Sequence, residues 1–161
     1  MVPMVAYQGA CEGMKQIVYI EGMKYWLAED YTNYVGIVPP VEIQTEYISL
    51  WLTGILAIRR AYPWDGPTGA IDTPDFLRAS LEHDALYECM RKGWLPLSFR
   101  GQVDDRLKAC CREDAMPDFR VAYVGLIVDA VGEQYAKPEN MKPYLRAPLL
   151  LEQATEDAIQ W

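Results

Sequence analysis

"YPWDGPTGAIDTPDF", residues 62–76, is where the chain changes rhythm. Its density of Gly, Pro, Asp and Thr predicts an irregular loop over 63–73, because these residues favour turns and break regular elements. Before it, residues 1–62 read as short β-rich runs. "QIVYIEGMKYWLA" holds two such runs around Glu21-Gly22-Met23, and "YTNYVGIVPP" ends at a diproline. "TEYISLWLTGILAIRRAY" reads as a hairpin with Thr53-Gly54 at the turn and β-branched or aromatic residues on both arms.

After the loop the period becomes helical. Thr73 is a candidate N-cap, Pro74 suits the first helical position, and Asp75 favours the positive end of the helix dipole. This first helix should run to Lys92 and stop at Gly93. A second fits 102–115. A third should start at Pro117-Asp118, bury Phe119, Tyr123, Leu126 and Ala130, and stop at Gly132. A tail over 133–161 follows, ending in an apolar "LLLEQATEDAIQW" that suggests a short final helix. The expectation is one α+β domain over 1–161, with a small antiparallel sheet first and a three-helix core at 74–132.

Composition bounds the function. The 161 residues are 51% hydrophobic and 24% charged, which is enough apolar material for one core. The net charge of -8 repels phosphate backbones, so no nucleic-acid partner is expected. Charged residues interrupt every apolar run before the ~20 residues of a membrane span. "MVPMVAYQGACEG" lacks the pattern of a secretory signal, and Cys11, Cys89, Cys110 and Cys111 contain no CxxC. A reduced, intracellular chain is expected. There is no P-loop and no GxGxxG, and a single histidine excludes metal sites that need two.

That histidine, His83, lies in "ASLEHDALYE", residues 79–88. On the first helix Phe76, Ser80, His83, Tyr87 and Met90 share one stripe, with Leu77, Leu81 and Asp84 beside it. A buried Asp84 would need a cation, a metal or several donors. On the second helix Val103, Leu107 and Cys110 face inward and Asp104 borders them, placed to reach His83. A histidine held by a carboxylate is a better general base, since the imidazolium formed in reaction is stabilised. Such a pair is more often a satisfied structural group than a catalyst. The preceding loop offers carbonyls beside glycines, with Asp65 and Asp72, a setting that suits Ca²⁺.

Taken in order, "YPWDGPTGAIDTPDF", "LEHDALYECMR", "RGQVDD" and "FRVAYVGLIVDAVG" resemble an uncharacterised family of tailed phages and prophages, over roughly residues 60–132. That family carries an aromatic-Asp-Gly loop, a His-Asp-x-Leu-Tyr helix and an Arg-x-x-Ala-Asp helix. Here the last reads Arg100 to Asp104 with Val103 in place of Ala. The resemblance implies phage or prophage origin, residence in the host cytoplasm or the virion, and phage or host proteins as partners.

More distantly, His83-Asp84 with Tyr87 is similar to the active-site helix of secreted phospholipase A2 enzymes. That likeness implies His83 as the base, Asp104 as the acid that orients it and Tyr87 as a supporting donor. It implies Ca²⁺ on Asp84 and on carbonyls of the Trp64, Gly66 and Gly69 segment. The disulfide cysteines that flank the enzymes' histidine are absent, and Pro67 interrupts the loop pattern. Two readings stand: a Ca²⁺-assisted hydrolase of lipid or other esters, and a non-enzymatic virion component or host-directed interaction protein.

Overall fold

The computed structural model describes residues 17–19, 23–66, 73–143 and 145–147. Two compact units divide the chain, Gly22–Met141 in one and the two terminal stretches in the other. In the terminal unit β1 (Ile17–Tyr19) pairs antiparallel with β8 (Leu145–Ala147), with Val18 opposite Arg146.

Gly22–Met141 is an α+β domain, strands first and helices after. The strands are β2 (Tyr25–Trp26), β3 (Tyr31–Tyr34), β4 (Ile43–Gln44), β5 (Ile48–Leu50), β6 (Ile55–Ile58) and β7 (Pro63–Trp64). Strands β3, β6, β5 and β4 form one antiparallel sheet in that spatial order, and β2 pairs with β7. The expected hairpin is β5–β6. Gly54 sits at φ +77°, where an L side chain is strained, and its amide closes the turn on the Trp51 carbonyl at 2.9 Å.

One expectation changes at the strands. Pro63–Trp64 is not loop: it adds to β2, and the Lys24 amide just before β2 donates to the Trp64 carbonyl at 3.2 Å. The two runs on either side of Glu21–Met23 are β1 and β2, and each has a distant partner, β8 for β1 and β7 for β2.

Register aligns one face of the sheet. Ile43, Leu50, Leu56 and Asn33 form one cross-strand row, and Ile48, Ile58 and Tyr31 form the next. The aliphatic members are buried with Leu81, Ala85, Leu86 and Met90 of the first helix in one core. A second core lies among the helices, from Phe76, Ala79, Leu107, Cys110, Cys111, Met116, Val121 and Val124.

The helices are α1 (Pro74–Arg91), α2 (Arg100–Glu113) and α3 (Asp118–Ala136). Helix α1 begins at Pro74 as expected and ends at Arg91, one residue early, with Lys92 as its C-cap and Gly93 at φ +72° next. The Thr73 hydroxyl makes no cap; instead it accepts from Arg120 Nη2 of α3 at 2.7 Å, beside an Asp75–Arg120 ion pair at 2.9 Å. Helix α2 lies two residues earlier than expected.

Helix α3 departs most. It passes through Gly132 to Ala136, so Glu133 is helical rather than the start of a tail. It also buries the opposite face: Val121, Val124, Gly125, Gly132 and Ala136 are inside, while Phe119, Tyr123, Leu126 and Ala130 are exposed. The expected final helix in 149–161 lies outside the described residues. Among the described residues no helix is long and apolar enough to cross a membrane.

Candidate functional site

Helices α1 and α2 pack so that His83 and Tyr87, one turn apart, both face Asp104. His83 Nε2 lies 3.0 Å from Asp104 Oδ1, and the Tyr87 hydroxyl donates to the same oxygen at 2.7 Å. The imidazole and phenol rings lie 4.0 Å apart between centroids. A carboxylate oxygen can only accept, so Nε2 carries the imidazole proton and Nδ1 keeps the lone pair. Burial lowers the His83 pKa below its usual 6.5, outweighing the hydrogen bond to Asp104, so the ring is uncharged at neutral pH. Its side chain is 13% exposed, enough for water to touch one edge.

Asp104 is 3% exposed and has a second oxygen to satisfy. Arg100, one turn earlier on α2, places Nη1 3.6 Å from Oδ2. Burial, then the hydrogen bond to Asp104, raises the Tyr87 pKa, so this phenol donates rather than ionises. From the third helix, Gly132 lies against the Tyr87 hydroxyl. The group therefore joins all three helices.

Asp84 takes another direction. It is half-buried, and its charge acts on Tyr62, which also donates to Glu88 Oε2 at 2.9 Å. Trp64 directs its indole NH to Ser80 Oγ at 3.2 Å, and its carbonyl already accepts from Lys24. Gly66 is buried with φ +73°. Gly69 and Asp72 lie outside the described residues. Among the described residues no three His, Cys, Asp or Glu side chains converge closely enough to hold a metal ion. The Ca²⁺ site that the sequence implies, Asp84 with carbonyls of the Trp64, Gly66 and Gly69 segment, therefore lies only partly within the described residues.

The thiols among the described residues are not nucleophiles in waiting. Cys89, Cys110 and Cys111 are buried and free. Burial pushes Cys89 and Cys110 up to about 12 and Cys111 to about 11, far from the thiolate form at neutral pH.

A larger polar group escaped sequence reasoning. Glu82 is 1% exposed, on the face of α1 turned to the sheet. Its carboxylate accepts from Tyr31 OH at 2.5 Å, Asn33 Nδ2 at 2.7 Å and Arg106 Nε at 2.8 Å, with Arg78 Nη1 at 3.7 Å. Arg106 also binds Glu113, and Arg78 forks onto Asp114. This network fastens β3, α1 and α2 together. Its signal was present: Glu82 interrupts the stripe Ala79, Leu86 and Cys89, a charge at a core position that demands partners.

Compared with protein-family models, curated proteins and solved structures, the chain matches none of them.

Proposed function

We propose that the chain is a phage-encoded hydrolase of lipid or other esters, with His83 as general base, acting in the host cytoplasm or from the virion. The observation that carries the reading is the Asp104–His83 hydrogen bond on an uncharged, partly exposed ring. Asp104, steadied by Tyr87, fixes the tautomer that leaves Nδ1 as the base. Nδ1 removes a proton from water as the oxygen attacks the ester carbonyl. The tetrahedral adduct then expels the alkoxide, which takes that proton back from the imidazolium. Asp104 stabilises the charge that appears on the ring between these steps.

The test is hydrolysis of short-chain nitrophenyl esters and phospholipid vesicles. His83→Asn should lose about a hundredfold in kcat/KM while keeping its circular dichroism. The acid limb of the wild-type profile should have its midpoint below 6.5, because the ring stays neutral until the pH falls through its lowered pKa. Hydrolysis undiminished in His83→Asn defeats the reading.

Calcium enters as a ligand of Asp84 together with carbonyls of the 64–69 segment, where it would polarise the ester carbonyl. Calorimetric titration with Ca²⁺ should give a binding isotherm that Asp84→Asn abolishes. A flat titration of the wild type removes the ion from the proposal.

A second reading has its own support. Asp104 is enclosed, and Tyr87 touches Gly132, as in a clasp joining three helices. The chain would then be a virion component or a host-directed interaction protein, and His83→Asn would lower Tm in a protein that hydrolyses nothing.

A further inference from the structure

We propose that the outer face of α3 is a self-association surface on which two copies of this chain pair antiparallel. This inference does not depend on the chemistry assigned to His83. Phe119, Tyr123 and Leu126 are 75%, 56% and 69% exposed, and Ala122 and Ala130 lie exposed beside them. A run of apolar side chains this large on a helix already packed by its other face marks an interaction site.

The spacing identifies the partner. Phe119, Tyr123, Leu126 and Ala130 are separated by four, three and four residues, the rhythm of a coiled-coil seam. The inner face of α3 carries the intervening positions Val121, Val124, Gly125 and Gly132, so the seam is not shared with the core.

A seam that meets its own copy about a two-fold axis must be complementary to its reverse. This one is. With the axis between Tyr123 and Leu126, those two side chains face each other across it. Each exposed Phe119 then falls opposite Ala130 of the second copy, a large ring over a small residue. The flanks do not oppose the pairing despite the chain's -8 charge. Arg120 is engaged by Asp75, Ala122 and Ile127 are apolar, and Asp129 is the one flanking acid between 119 and 130.

Area sets the strength. Two largely exposed rings, one leucine and two alanines bury about 500 Å² per copy, so the total is near the lower bound for specific interfaces. The pairing is therefore a weak one, with a dissociation constant on the order of 10 μM.

Sedimentation velocity on the full chain tests it. The weight-average mass should rise from monomer at about 1 μM to mostly dimer at about 100 μM. Leu126→Lys should remain monomeric at the higher concentration with an unchanged melting curve, since the side chain it replaces is exposed. Gln102→Lys, an equal charge change at an exposed site on α2, should still dimerise. Because added positive charge reduces repulsion in an acidic chain, loss of association only at Leu126 isolates the seam. A wild type that stays monomeric at about 100 μM, or dimers undiminished by Leu126→Lys, overturns the proposal, and the face then serves another partner.

Discussion

Arg106→Ala should lower the stability of the folded chain by about 3–5 kcal/mol, because it strips the nearest charge from a carboxylate that water cannot reach. Glu82 would keep the Tyr31 and Asn33 donors, but the remaining cation, Arg78, lies 3.7 Å away and is committed to Asp114 by three contacts of 2.8–3.0 Å. Two neutral donors do not offset the desolvation of a buried charge. In a chain of this size the loss corresponds to a fall in Tm of about 10–15 °C, readable by calorimetry.

Arg106→Lys should recover part of it. A lysine keeps the charge but not the fork that holds Glu82 through Nε and Glu113 through Nη1 together. Acid titration adds an independent reading. The guanidinium groups of Arg106 and Arg78 hold the Glu113 carboxyl down at about 2, against its usual 4.5. A depressed carboxyl contributes stability that is present above 4.5 and is lost as the pH falls toward 2, since the unfolded chain binds the proton first. Removing Arg106 should flatten the pH dependence in that window. A variant that melts within about 1 kcal/mol of the parent would mean that Glu82 is not held as a buried ion.

The contrast between Glu82 and His83 shows what the sequence could convey. His83 and Asp104 were legible because each lies at the border of an apolar stripe on a helix with clear ends: Thr73-Pro74-Asp75 at one end of α1 and Gly93 at the other. Two short helices in succession must pack, and the stripes then point at each other. Glu82 sits about 100° round α1 from His83, and its partners Tyr31 and Asn33 come from a strand about fifty residues earlier, a pairing that no local period reports.

The strand partners of β1 and β2 were hidden for the same reason, since register between distant segments is set by tertiary packing. Helix α3 failed differently. It is apolar on both faces, so the 3.6-residue period cannot say which faces inward. The small residues could have decided it. Gly125 accepts the Lys108 stem against its bare Cα, and Gly132 accepts the Tyr87 hydroxyl, so the glycine face is the one that approaches other helices. An apolar helix with two glycines on one side buries that side.

Gly132→Ala makes this reasoning measurable, because helix propensity and packing predict opposite signs. In an open helix the change would add about 1 kcal/mol of stability. Here the new Cβ would stand 2.6 Å from the Tyr87 hydroxyl and 3.3 Å from Arg100 Nη1. Tyr87 has little freedom to yield: its ring is 2% exposed, lies against His83, and ends on Asp104. Any shift that relieves the clash lengthens the 2.7 Å hydrogen bond and leaves the enclosed Asp104 carboxylate with one fewer donor. The expected result is a net loss of about 3 kcal/mol, combining overpacking with an impaired buried hydrogen bond.

Gly132→Ala combined with Tyr87→Phe identifies the cause. Removing the hydroxyl removes the clash, so the double variant should lose much less than the sum of the two single losses. If Gly132→Ala instead stabilises the chain, α3 does not approach Tyr87 as closely as the clasp requires. Asp104 would then rest on α1 and α2 alone.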